Sequence, residues 1–109
     1  MKLLSQQVTV YRRDGSRRVL SDCHFELKEE VTQDALGHHL HRRFILIARG
    51  NPDLQIGDRV QEGIGPKEID WQIYIPEQVP GLVTVGYVKP YYWGSRISHT
   101  EAGGVYDRY

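Results

Sequence analysis

The stretch GHHLHRR, running from Gly37 to Arg43, holds the residues of this chain best suited to chemistry. In an extended backbone His39 and His41 point the same way, a spacing that two metal ligands use on a strand, with His38 beside them. A zinc site needs three or four ligands in a fixed shell. Here the third would have to come from His24, His99 or a carboxylate distant in sequence. The other reading is a polar, solvated loop leading into a strand, and the preceding residues, EVTQDALG, favour that loop.

Other arrangements ask for less. Cys23 is the single cysteine, so the chain forms no internal disulfide and no multi-thiolate metal site. Its neighbours SDCHFEL alternate polar and apolar, and no cationic surroundings are written around it, so it is expected to pack as a small hydrophobe. Serine, histidine and aspartate are present, but no nucleophile-elbow pattern occurs. The glycines of EGIGP precede no helix and match neither a phosphate-binding loop nor a dinucleotide fingerprint. The carboxylate pairs Glu29-Glu30 and Glu68/Asp70 fall at strand ends and turns. The expectation is a protein that is not an enzyme, with no catalytic residue, no metal site and no cofactor.

Two clusters bear on binding. Arg12, Arg13, Arg17 and Arg18 flank an Asp14-Gly15 turn, and Arg42-Arg43 precedes an apolar run. They read either as a phosphate-touching patch or as a solvated hairpin tip whose charge protects an edge strand. Near the end of the chain, Lys89, Tyr91, Tyr92, Trp93 and Arg96 mix basic and aromatic residues, the pattern of a base-stacking platform. Fourteen Lys and Arg balance fourteen Asp and Glu, so the formal net charge is zero. A dedicated DNA-binding domain usually shows a basic excess, and this chain has none.

The elements that must position these residues are mostly strands. At 109 residues the chain has the size of one domain. Its start, MKLLSQQV, lacks the apolar core of a signal peptide, and no apolar run approaches the ~20 residues of a membrane span. Cytosolic synthesis without membrane association is therefore expected. QVTVYR alternates and reads as a first strand, and RDGSRR as a hairpin turn. In RRVLSDCHFELKEE, Cys23, Phe25 and Leu27 share one face and make a half-buried antiparallel strand. Residues 30–41 read as a long inserted loop. RRFILIARG, with four apolar residues in succession, reads as a strand buried on both faces or crossing the centre of a barrel. A turn at Pro52 follows, then a tight turn at Gly57-Asp58 leading into a short strand through Val60. Residues 63–66 read as an exposed loop. IDWQIYI, residues 69–75, alternates as a strand, and LVTVGYVK is the last strand, ended by Pro90. About six strands at spacings near ten residues predict a small all-β antiparallel barrel or sandwich. Residues 90–109 are then an extended C-terminal segment.

That segment, VKPYYWGSRISHTEAGG, is where a family resemblance arises. The VTVY strand from Val8 to Tyr11, the Leu-x-x-Gly-Asp-x-Val element from Leu54 to Val60, Gly94-Ser95, and HTEAGG from His99 to Gly104 resemble the small minor structural proteins of tailed bacteriophages and prophages. These are the head-closure (stopper) and head–tail connector proteins. The resemblance covers most of the chain in order and length, and departs from the pattern at Pro90. It implies a virion protein at the head–tail interface, made in the bacterial host cytoplasm and assembling as a ring beneath the portal and adaptor. It implies contacts with the portal–adaptor ring and with tail-tube or tail-terminator proteins, and contact with packaged DNA in the channel. Residues 30–41, with His38, His39 and His41, fall where a channel-plugging loop is expected. Tyr91, Tyr92, Trp93, Arg96 and His99 fall where a partner-binding arm adds to a neighbour's sheet; the same aromatics read equally as a cover for the open end of their own barrel. A tail-completion or tail-terminator protein, or a small nucleic-acid-binding β-barrel, are the alternatives.

Overall fold

The structure is a computed structural model that describes residues 6–35 and 37–105; in the segment 30–41 the side chains at positions 30, 32, 34 and 38–41 lie outside that description. Among the described residues the chain is all-β. Strands β1 (Gln6–Tyr11), β2 (Arg17–Asp34), β3 (Gly37–Arg49), β4 (Arg59–Glu62), β5 (Val83–Thr84), β6 (Tyr87–Trp93) and β7 (Arg96–Val105) form one antiparallel sheet in the order β5-β4-β1-β2-β3-β7-β6. Among the described residues no helix is long and apolar enough to cross a membrane.

The first hairpin forms where Asp14-Gly15 predicts it. Gly15 adopts φ 93°, which a residue without Cβ reaches at no steric cost. The Asp14 carboxylate accepts a 2.8 Å bond from the Ser16 amide and holds the turn. Along β2 the core face passes from Leu20 to Cys23, three residues rather than two. A bulge opposite Gln7 inserts the extra residue: Gln6 pairs with Cys23 but Val8 with Leu20, and Asp22 takes φ 55°. This bulge is what allows Leu20, Cys23 and Phe25 to serve one core.

The sheet curls so that its two ends meet. The backbone of Val85 bonds to residues 57 and 58, each at 2.8 Å, and the next amide, Gly86, donates to Gly103 of β7 at 2.7 Å. A single bent stretch of chain therefore pairs first with β4 and then with β7. The junction is close enough that a Cβ on Gly104 would lie 2.9 Å from the Thr84 carbonyl oxygen and 3.1 Å from the Gly86 nitrogen. Glycine is required there because backbone atoms cannot step aside. The enclosed core contains Val8, Val10, Cys23, Phe25, Phe44, Leu46, Ala48, Val60, Val83, Val85 and Ala102, with Leu54 reaching in from the β3–β4 connection.

Five expectations are corrected. Residues 30–41 are not an inserted loop: β2 and β3 run on through them in unbroken register from Glu30↔His41 to Asp34↔Gly37. Residues 69–75 are not a strand but a series of turns, with Ile73 and Tyr74 amides returning to the Asp70 carbonyl. Pro90 does not end the last strand. It sits inside β6, an edge strand paired only with β7, where a missing amide hydrogen is tolerated. Of the extended segment expected at 90–109, residues 90–105 instead complete β6 and supply β7, which lies between β3 and β6, and the remaining four positions lie outside the described residues. Leu27, placed on the core face by alternation, is 42% exposed because the barrel ends beside it.

Candidate functional site

Two hairpins reach beyond the barrel, and their directions follow from the register. β7 meets β3 from Arg43↔Val105 to Arg49↔His99. The β6–β7 turn therefore lies past Arg49, and the β2–β3 turn lies at the other end of the same strand. From Glu29↔Arg42 to Asp34↔Gly37 the two strands of the β2–β3 hairpin pair with each other and with no third described strand. Six pairs at the rise of a strand make an arm about 20 Å long. At its root Glu29 and Arg42 form an ion pair at 3.2 Å. Leu27 and Val31, 42% and 66% exposed, carry the apolar core stripe outward along one face.

His38, His39 and His41 lie on the β3 half of this arm, opposite Gln33, Thr32 and Glu30; their side chains are outside the described residues. The register separates His24 from this arm. His24 pairs with Ile47, eight positions along the ladder from His39, about 26 Å at the rise of a strand. The His24 ring instead meets Glu26 at 3.2 Å. Among the described residues no three His, Cys, Asp or Glu side chains come together as metal ligands.

The other hairpin gathers the aromatic residues. Tyr91 stacks on His99, the ring centroids 4.6 Å apart at an interplanar angle of 10°, and the Lys89 ammonium lies 5.1 Å from the Tyr91 centroid. A bulge between Tyr91 and Tyr92 then turns the tip, where Trp93 pairs with Arg96 across Gly94-Ser95. Tyr92 is 63% exposed and Trp93 83%. Rings this exposed do not cover the barrel's own end. Tyr87, on the same strand, donates to Glu101 at 2.9 Å, and burial followed by that carboxylate pushes its phenol above the ordinary value.

The arginines of the first hairpin divide into pinned and free. Arg12 makes a two-pronged contact with Asp58, Nε at 3.2 Å and Nη2 at 3.1 Å. The Asp58 side chain is buried and also accepts the Gln55 amide at 3.0 Å. That hydrogen-bonded carboxylate holds the Arg12 guanidinium above its usual pKa. Arg18 donates to the carbonyls of Pro52 and Asp53, and Arg17 to those of Gly65 and Pro66 at 2.8 and 3.0 Å. All three hold loops onto the barrel, a role the clustering of charge in the sequence does not reveal.

The turns at 69–75 form a flap over the outer face of β1. Thr9 and Tyr11, on the face opposite Val8 and Val10, are buried beneath residues 63–75. Thr9 Oγ1 donates to the Gly63 carbonyl at 2.8 Å and accepts the Gly65 amide at 2.9 Å. Tyr11 donates to Pro66 at 2.7 Å and meets Tyr74 edge-on at 5.2 Å. Arg59 donates to the Trp71 and Tyr74 carbonyls, with its guanidinium 3.6 Å from the Trp71 ring centroid. The apolar alternation of IDWQIYI thus marks a lid packed through Trp71 and Tyr74. Comparison of the chain with protein-family models, with curated protein sequences and with solved structures finds no match.

Proposed function

We propose that this chain is a structural subunit of a tailed phage or prophage virion, placed at the head–tail joint as a stopper or head-completion protein. It assembles as a ring beneath the portal–adaptor complex and meets tail-tube or tail-terminator proteins on the other side. The observation that carries this reading is the β2–β3 arm, which extends past the barrel without a third described strand to support it. A two-stranded ribbon is marginal alone in water, so an arm of this length belongs against another surface. In a ring each subunit presents one surface to a different surface of its neighbour, which an arm and a barrel wall satisfy. The arm occupies the positions assigned to a channel plug, and packaged DNA is then its neighbour in the channel. The exposed Tyr92 and Trp93 at the opposite end are side chains of the type that dominates interfaces.

Exposed rings beside Lys89 and Arg96 favour a second reading, a barrel that binds single-stranded nucleic acid by stacking. A tail-completion or tail-terminator role differs from the first reading only in the neighbour met.

The test is a pull-down of the tagged chain from a host lysate after prophage induction, read by mass spectrometry. Three forms are compared: the intact chain, a chain with residues 30–41 replaced by a two-residue turn, and Tyr92→Ala/Trp93→Ala. Removing residues 91–109 is unsuitable, because β7 belongs to the barrel. Portal or adaptor proteins recovered by the intact chain and lost with the arm uphold the joint. Tail-tube protein alone moves it to the tail terminator. Nucleic acid alone, with strongly salt-dependent affinity, or only unrelated host enzymes, overturns it.

A further inference from the structure

A cleft of about 450 Å³ opens between the end of β1, the turn before β4 and the flap, lined by Arg13, Gln55, Ile56, Gly57, Arg59 and Trp71 among others. Its cations are brought together by the pairing of β1 with β4. Tyr11 pairs with Arg59, and Arg13, in the hairpin turn that follows β1, lines the same cleft as Arg59. Like charges facing one cleft repel, and the charge of Arg13 acts on Arg59 in that sense. Arg12 and Asp58 line the same cleft, where Arg12 engages the carboxylates of Asp58 and Asp53, and the acid whose charge reaches Arg59 is Glu77. Arg13 is exposed and makes none of the hydrogen bonds or ion pairs seen for its neighbours. Arg59 uses one terminal nitrogen, Nη1, on the Trp71 and Tyr74 carbonyls and rests on the Trp71 ring. Its remaining donors are held in a fixed plane at the cleft wall.

We propose that this cleft binds a phosphate-type oxyanion between the Arg13 and Arg59 guanidiniums. The planar fork of arginine matches two oxygens of a phosphate, and stacking on Trp71 fixes the fork of Arg59 in advance. An oxyanion placed between the two cations converts their repulsion into attraction. The lowered pKa of Arg59, caused first by burial and further by the charge of Arg13 and opposed by Glu77, accords with two guanidiniums facing one cleft. The site does not depend on the head–tail reading: the anion is either a free phosphate species or the phosphodiester of a nucleic acid strand.

The experiment is an NMR titration of the full chain, following the Trp71 indole N–H, with inorganic phosphate in one arm and a single-stranded oligothymidylate in the other. Arg13→Gln is the principal variant, because Arg13 supports no loop. Arg59→Gln is run beside it with a thermal melt, since it also releases the flap carbonyls. The expected result is a saturable shift at Trp71 in the intact chain, weakened at least tenfold in Arg13→Gln. Tighter saturation by phosphate than by the oligonucleotide, per phosphate, assigns a free phosphate species; the reverse assigns the nucleic acid backbone. No saturable shift with either probe overturns the site, as does equal affinity in Arg13→Gln and the intact chain.

Discussion

The two projecting hairpins are built on the same motif and held in opposite ways. In the β2–β3 arm, six successive pairs have no third strand beside them among the described residues. In the β6–β7 hairpin, β7 is paired with β3 over seven positions, and Gly86 bonds to Gly103 at its far end. Under the proposed function the arm is a ribbon that gains order from the surface it meets, whereas Tyr92 and Trp93 stand on a tip whose backbone the barrel already fixes. An exposed aromatic on fixed backbone loses little entropy when it docks. A solvated arm gives up more, and so suits a contact made once, during assembly.

The largest effect expected on this contrast comes from Gly104→Val. A side chain there meets the backbone of Thr84 and Gly86, prising the bent closing strand from β7. Denaturant unfolding should show a loss of about 3 kcal/mol, at the upper end of overpacking costs. An unchanged midpoint would mean that this closure does not support the β6–β7 side.

Alkaline pH should weaken the barrel next. Burial raises the Cys23 thiol above its ordinary 9.0 and the Tyr74 and Tyr87 phenols above 10.0. The unfolded chain then releases these protons before the folded one does. Their contribution is complete below about pH 9 and is lost as pH rises through the raised folded values. Thermal melts from pH 7 to 11 should show a plateau and then a decline. Tyr87→Phe should lessen the decline above pH 10; an identical profile would place the loss elsewhere.

The smallest effect is Glu29→Ala. Its pair with Arg42 at the root of the arm is surface-exposed and worth about 0.5 kcal/mol or less. Global stability should hardly move, while amide exchange quickens across residues 30–41 and stays unchanged in β6 and β7. Equal quickening in both hairpins would show that the arm is not an independent unit.

Other parts of the molecule differ in how plainly they were written. Asp14-Gly15 announced its hairpin through local turn chemistry, and Cys23 and Phe25 their face through alternation against a core. Gly57-Asp58 announced a turn before β4, though not that Asp58 would be buried under Arg12. Residues 30–41 were misread because a polar composition with Gly37 inside it matches a loop as well as the paired strands of an arm. Residues 69–75 were misread because a lid that packs through Trp71 and Tyr74 imitates the alternation of a strand. Among the sites, the aromatic cluster from Tyr91 to Trp93 was visible as composition. The Arg13–Arg59 cleft was not, because the two residues are brought together only when β4 pairs with β1.

By itself, then, the sequence determined an all-β chain, its first hairpin, the inward face of β2 and the central apolar strand. Each of these follows from contacts between residues near in sequence or from period-two burial. Only the tertiary structure decided that the aromatic end of the chain is a strand pair inside the sheet, and that Arg12, Arg17 and Arg18 serve loops rather than ligands. It likewise decided that the sheet closes at Gly86, Gly103 and Gly104. Those outcomes depend on which distant backbone is available to pair with, and a residue's neighbours in sequence do not carry that information.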